Sequence, residues 1–342
     1  MANEWTPRER VMAVLSGEKP DRAPIFECVA HDGVLEHFSG RPVAVGDAEA
    51  VMRACARFLD ILHPLLVPQA PGRIAHADGS VQVRERWNTW TIQPPLSDSE
   101  RSRRLAGEIE AAEAWRPRAD ARRRQAVAGT MVYIHVGYGC QILPFDLEQG
   151  FYLWADEPEL ARRWNRAQNE RARRNLESQP DLDAGPVCII WNDIAAKNGL
   201  LYPPELLEEL FYPHLRSVVE WLHNRGLKVL FHSDGDVTKA LGRLADCGID
   251  GFNPLEISAG MTPEGFRSAC GRRVALVGGI DAVELLARGT PAQVAAAARR
   301  LLDLFRADGN LIVASASGQI DNSMPTENVL ALYETVWSCG RY

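Results

Sequence analysis

The stretch VLFHSDGDV, residues 229–237, closes an apolar run with His232, Ser233, Asp234 and Asp236. An imidazole with carboxylates two and four residues on can hold a divalent cation or pass a proton. The pattern recurs along the chain. Glu27 closes APIFE, Asn192 and Asp193 follow PVCIIW, Asn253 and Glu256 follow GF, Asp281 follows VGGI, and Ser315 and Ser317 follow LIVA. Simpler roles compete with chemistry at each position. Asp236 and Asp281 stand where helix N-caps fall, Asp193 lies one helical turn from Lys197, and a histidine at a strand end is often a hydrogen-bonded core group. Tyr138, Trp191 and Phe252 are candidates for an apolar pocket wall, with Asn192 and Asn253 as substrate-facing amides.

The elements that would position these groups are regular after residue 130. The apolar runs TMVYIHV, PVCIIW, KVLFH, DGFNP, RVALVGG and NLIVASA alternate with helical patterns over 157–178, 204–225, 238–247, 262–270 and 291–307, and a last helix follows Pro325. Strands alternating with amphipathic helices predict βαβ units and a parallel sheet. With APIFE (23–27) and HPLLV (63–67) the strands reach eight, which favours a (β/α)8 TIM barrel over an open sheet. No G-x-G-x-x-G or P-loop follows any run, so the common nucleotide-binding reasons for an open sheet are missing. In a barrel the C-terminal strand ends share one rim, and that rim would gather the polar residues above. Upstream, Thr6, Pro7 and Glu9 predict a capped helix. A helix over 47–62, a hairpin over 81–93 and an Arg/Glu/Ala helix between Arg101 and Arg124 follow. No linker interrupts the chain, so the expectation is a single barrel domain, 1–342, with N-terminal helical and hairpin additions.

A chain of 342 residues that is 46% hydrophobic can bury a large core. Its net charge of -7 argues against nucleic acid as a partner. No N-terminal apolar leader and no run near ~20 apolar residues is present, which reads as a cytoplasmic protein with no membrane partner. Seven scattered cysteines without C-x-x-C spacing suggest neither a disulfide framework nor a thiolate zinc knuckle.

The segments TPRERVMAVLSGEKPDRAPIFE, WNDIAAKNGLLYPPELLEELFYPHL, RGLKVLFHSDGDV, CGIDGFNPLEISAGM, VALVGGID, LLARGTPAQV and MPTENVLALYE resemble, in this order, the uroporphyrinogen decarboxylase-like superfamily. The resemblance is closest to its corrinoid- and zinc-linked methyltransferases, and it implies a (β/α)8 barrel with the site at the C-terminal mouth. Two departures shape the expected chemistry. The decarboxylase proper carries an N-terminal arginine-rich motif for its many substrate carboxylates, whereas ECVAHDG follows APIF here. The thiol-methylating branch carries His-x-Cys and a distant Cys as zinc ligands. His232 matches the histidine, but Asp234 replaces the first cysteine and ASASG offers serines near the second. A His and carboxylate set makes a harder, stronger Lewis acid, suited to a methyl–oxygen or methyl–nitrogen bond.

The resemblance therefore implies zinc or another divalent metal at His232, Asp234 and Glu256. Asp193 and Glu27 would orient or protonate the leaving group. The expected partners are a small methylated substrate, a corrinoid protein over the mouth and, as an open option, a second copy in a homodimer. A metal-independent decarboxylase or lyase of a small acid, and a non-catalytic ligand-binding barrel, remain the alternatives.

Overall fold

The computed structural model describes residues 5–95, 97–114, 131–138, 140–144, 146–178, 185–316 and 318–342. Its centre is an eight-stranded parallel sheet of β1 (Phe26–Glu27), β2 (Ile61–Leu62), β3 (Val132–Tyr138), β4 (Val187–Trp191), β5 (Lys228–His232), β6 (Gly251–Asn253), β7 (Ala275–Ile280) and β8 (Leu311–Ser315), hydrogen-bonded in that order. A parallel bridge between Ile25 and Val313 joins the last strand to the first, with Val313 N donating to Pro24 O at 2.9 Å. The sheet is therefore a closed TIM barrel, as expected.

Alternation along the strands divides the apolar residues into two layers. Phe26, Ile61, Val187, Ile189, Leu230, Val277 and Ile312 fill the interior, together with Val11, Val14 and Leu15 of the helix Pro7–Leu15. Ile25, Leu62, Phe231, Phe252, Leu276 and Val313 pack outward beneath the surrounding helices. The Thr6–Glu9 capping box predicted for the first helix is formed.

That helix also delivers Arg10, which is 2% exposed and bonds Asp21 at 2.7 Å and Asp60 at 2.6 Å. Asp60 takes a second arginine, Arg22, at 2.8 Å and accepts the backbone N–H of Ile25 at 2.9 Å. These bonds explain two departures from the sequence expectation. The helix expected over 47–62 is Ala48–Cys55 only, because Asp60 turns inward and Ile61 and Leu62 join the sheet between β1 and β3. The second strand accordingly lies before HPLLV rather than within it. Pro64 and Pro68 lack the N–H that a ladder requires.

Two smaller differences appear. The helix expected over 204–225 is split at Phe211 into Pro204–Leu210 and Tyr212–His223, where Pro213 removes a donor. The hairpin gains a third antiparallel strand, Gly72–Ala75 beside Val81–Arg84 and Thr89–Ile92. The Arg-rich helix is described over Asp98–Ala114, and 115–124 lie outside the described residues.

Removing one member of a buried ion cluster strands the others, at a cost of about 3–5 kcal/mol. Asp60→Ala is expected to lower the free energy of urea unfolding by about that amount, whereas a loss below about 1 kcal/mol would show that the cluster does not hold the strands.

Candidate metal centre at the barrel mouth

His232 is the last residue of β5 and pairs in register with Trp191 on β4 and Asn253 on β6. Its Nδ1 lies 2.9 Å from Asn253 Oδ1, and Asn253 Nδ2 donates to Val277 O at 3.2 Å. The second bond fixes the amide, so Oδ1 is the acceptor and Nδ1 carries the proton. Nε2 is left facing the mouth, 3.8 Å from Asp193 Oδ1 and 3.8 Å from Asp234 Oδ1. The three candidate ligand atoms of Asp193, His232 and Asp234 lie within 4.8 Å of one another. A neutral imidazole lone pair aimed at two carboxylates is repulsive unless a cation or a proton sits between them. Trp191 covers the His232 ring at a centroid distance of 3.9 Å. His232 is thus buried and oriented, while the two acids are half-exposed at the rim.

The loop carrying Asp234 is clamped from both sides. Asp234 N donates to Asp193 Oδ1 at 3.0 Å, Gly235 N to Glu256 Oε2 at 2.6 Å, and Asp236 N to Ala196 O at 3.0 Å. Gly235 has φ +84°, and a Cβ there would lie 2.6 Å from the Ala195 carbonyl carbon, so glycine alone fits between the carboxylates. Burial pushes Asp234 above the ordinary carboxylate range; His232 opposes this, and Asp193 and Glu256 reinforce it.

Several expected roles change. Glu256 does not join the ligand cluster. The irregular turn after Pro254 spends its oxygens on Gly235 N and on Ser258 Oγ at 2.8 Å, and Asp193 takes its place beside His232 and Asp234. Glu27 does not face the mouth. Phe26 points into the barrel, so Glu27 turns outward, where it accepts from Ser315 N at 2.6 Å and Ser315 Oγ at 2.9 Å. Burial raises it to about 8. Asn192 binds both backbone groups of Cys140 and so anchors the loop after β3 instead of facing a substrate. Asn253 is consumed by His232 and Val277. Phe252 packs outward between Phe231 and Phe266, with ring separations of 6.5 and 5.9 Å. Asp281 N-caps the turn Ala282–Leu286, and Asp236 accepts from Thr238 N. Ser317 and the Tyr138 side chain lie outside the described residues.

Two groups near the cluster escaped the sequence reading. His63 follows β2, and its ring is 6.0 Å from that of Trp191. Tyr202 is close enough to Asp193 for that charge, added to burial, to raise its phenol. The available signal for His63 was its place directly after a strand, which the misplaced HPLLV strand concealed.

The family model described as uroporphyrinogen decarboxylase (URO-D) matches residues 151–338. The chain belongs to the uroporphyrinogen decarboxylase family. Among solved structures, it resembles a methyltransferase from Methanosarcina mazei at 18% identity and a TM-score of 0.65, over 98% of this chain and 99% of that one. The spore cortex-lytic enzyme SleL of Bacillus megaterium QM B1551 is far more distant, at 10% identity and a TM-score of 0.40 over 93% and 75% of the two chains. No curated protein matches the chain. The uroporphyrinogen decarboxylase match spans β4 to β8 and thus Asp193, His232 and Asp234, and it leaves out β1 and β2 with Glu27 and His63.

Two outcomes follow from this geometry. Asn253→Ala frees the His232 ring and is expected to weaken zinc binding about 10–100-fold, as loss of such supporting bonds does; unchanged affinity by competition with a chromophoric chelator would refute the orienting role. Glu27 holds its proton in the fold up to about pH 8 but loses it near its ordinary value of 4.5 when unfolded. The folded state then binds more protons, so this group's contribution is full below that lower value and is lost as pH rises through 8. Glu27→Gln, always neutral, is expected to flatten the decline and to exceed the wild type in stability at alkaline pH, measured by urea unfolding across the range. A steeper decline in the variant would show that Glu27 is ionised in the fold.

Proposed function

We propose that this protein is a methyltransferase of demethylase type, which moves a methyl group from a small methylated substrate to a corrinoid on a partner protein docked over the mouth. The observation that carries the reading is the His232 Nε2 lone pair held toward Asp193 and Asp234. Family membership supports it, and the M. mazei methyltransferase shares the fold. One nitrogen and two carboxylates fit zinc or a similar divalent ion, with positions left for a substrate atom. Such an ion supplies Lewis acidity at the substrate heteroatom from which the methyl departs. No cysteine belongs to the cluster among the described residues, which favours an ether oxygen or an amine nitrogen over a thiol.

The remaining work falls to the chain itself. Asn253 keeps His232 in one tautomer, and Trp191 holds its ring. Asp193 orients the leaving heteroatom, and the neighbouring Tyr202 hydroxyl supplies the proton that atom takes up as its bond to methyl breaks. We assign this chemistry to one barrel domain spanning 1–342, working as a cytoplasmic protein. Among the described residues no helix is long and apolar enough to cross a membrane.

The family's name favours one second reading, carbon dioxide release from a small acid with Asp193 or Asp234 as acid/base. The two readings separate in an assay of reduced cobalamin with methoxylated aromatics, methylated amines and thiols, followed by the absorbance change on cobalamin methylation. Methylation by an ether or amine is expected, falling at least about 100-fold in His232→Ala. Transfer with thiols alone, or carbon dioxide release without methylation, would overturn the proposal.

A further inference from the structure

His63 follows Leu62, the last residue of β2, and the alternation that points Ile61 into the barrel points His63 into its mouth. Its ring lies 6.0 Å from that of Trp191, which lies 3.9 Å from that of His232. Three rings thus run across the mouth from β2 through β4 to β5. Their nitrogens are differently engaged. His232 is held by Asn253 on one side and faces carboxylates on the other. His63 is 3% exposed, and among the described residues neither of its ring nitrogens has a hydrogen-bond partner. A largely buried imidazole without protein partners at the edge of a site is open to a ligand that satisfies it. Burial above all pushes the ring down to about 3, so at neutral pH it offers one N–H and one lone pair.

The mouth is therefore divided. The β4–β5 side carries Asp193 and Asp234, suited to a cation and the heteroatom it polarises. Among the described residues no carboxylate acts on His63, so the β2 side offers hydrogen bonds without a counter-charge, with the Trp191 indole between the two sides. A substrate that spans both sides needs a flat body against the indole and a second polar atom at His63. An alkyl group there would leave the imidazole unpaired, and an ammonium would be desolvated without a counter-charge.

We propose that His63 is a substrate-binding residue that hydrogen-bonds an uncharged hydroxyl or carbonyl oxygen on the part of the substrate remote from the departing methyl group. The identity of the departing group rests on the methyltransferase reading, whereas the hydrogen bond does not. The favoured class is a planar methoxylated ring bearing a second oxygen, over the same ring without it. Sites built around such a bond reject analogues that lack the partner.

Binding without turnover tests this. The three methoxyphenol isomers and methoxybenzene are titrated calorimetrically into the zinc-loaded full chain, with no corrinoid present. At least one isomer is expected to bind about tenfold or more tighter than methoxybenzene. His63→Phe, which keeps a ring in place, should abolish that preference while leaving methoxybenzene within about twofold. His63→Gln, which keeps a donor and an acceptor, should restore part of it. Zinc content and thermal midpoint report whether each variant is folded. Equal weakening of both probes by His63→Phe, no change in either, or no binding of any methoxyphenol overturns the proposal. A preference that follows residue 63 in a protein that never methylates cobalamin sinks the methyltransferase reading and leaves this one standing.

Discussion

Asp60 is wholly buried, accepts from Arg10 and Arg22, and holds the N–H of Ile25 just before β1. Two charges in the interior are tolerable only when they answer one another, so this cluster dictates where the chain leaves its helix and joins the sheet. It ties the first helix, the entry to β1 and the start of β2 to one point. Strand side chains repeat every two residues, so a slip of one at Ile61 would turn His63 from the mouth to the outer layer. The same register at Phe26 sends Glu27 outward to Ser315 on β8, beside the bridge that closes the barrel. The composition of the mouth is thus decided well below it.

Most of the barrel was legible because the runs from β3 to β8 are apolar, short and separated by helical periods. The second strand was not. Like β1, which lies within the expected APIFE, it is only two residues long, and it pairs through contacts distant in sequence. Leu59, Ile61 and Leu62 suit a helix as well as a strand by pattern alone. A tertiary ion pair, invisible in any local window, decided between them.

The candidate site divides along the same line. His232, Asp193 and Asp234 were readable as polar residues at strand ends. Which of the acids faces His232 was not, because period-two direction is lost once the chain enters a loop. Glu256 is diverted by the turn after Pro254, and Asn192 by the free backbone of Cys140. Glu27 was a different kind of miss, since alternation from Phe26 already predicts its outward face. His63 was hidden by a strand boundary set two residues late.

The donor set is the central claim, since a nitrogen and oxygen shell without thiolate is what favours an ether or amine over a thiol. X-ray absorption at the zinc edge of the loaded protein addresses it directly. The account predicts a shell of nitrogen and oxygen near ~2.0–2.1 Å, with one imidazole. A sulfur scatterer near ~2.3 Å would contradict it. So would a shell unchanged by His232→Ala.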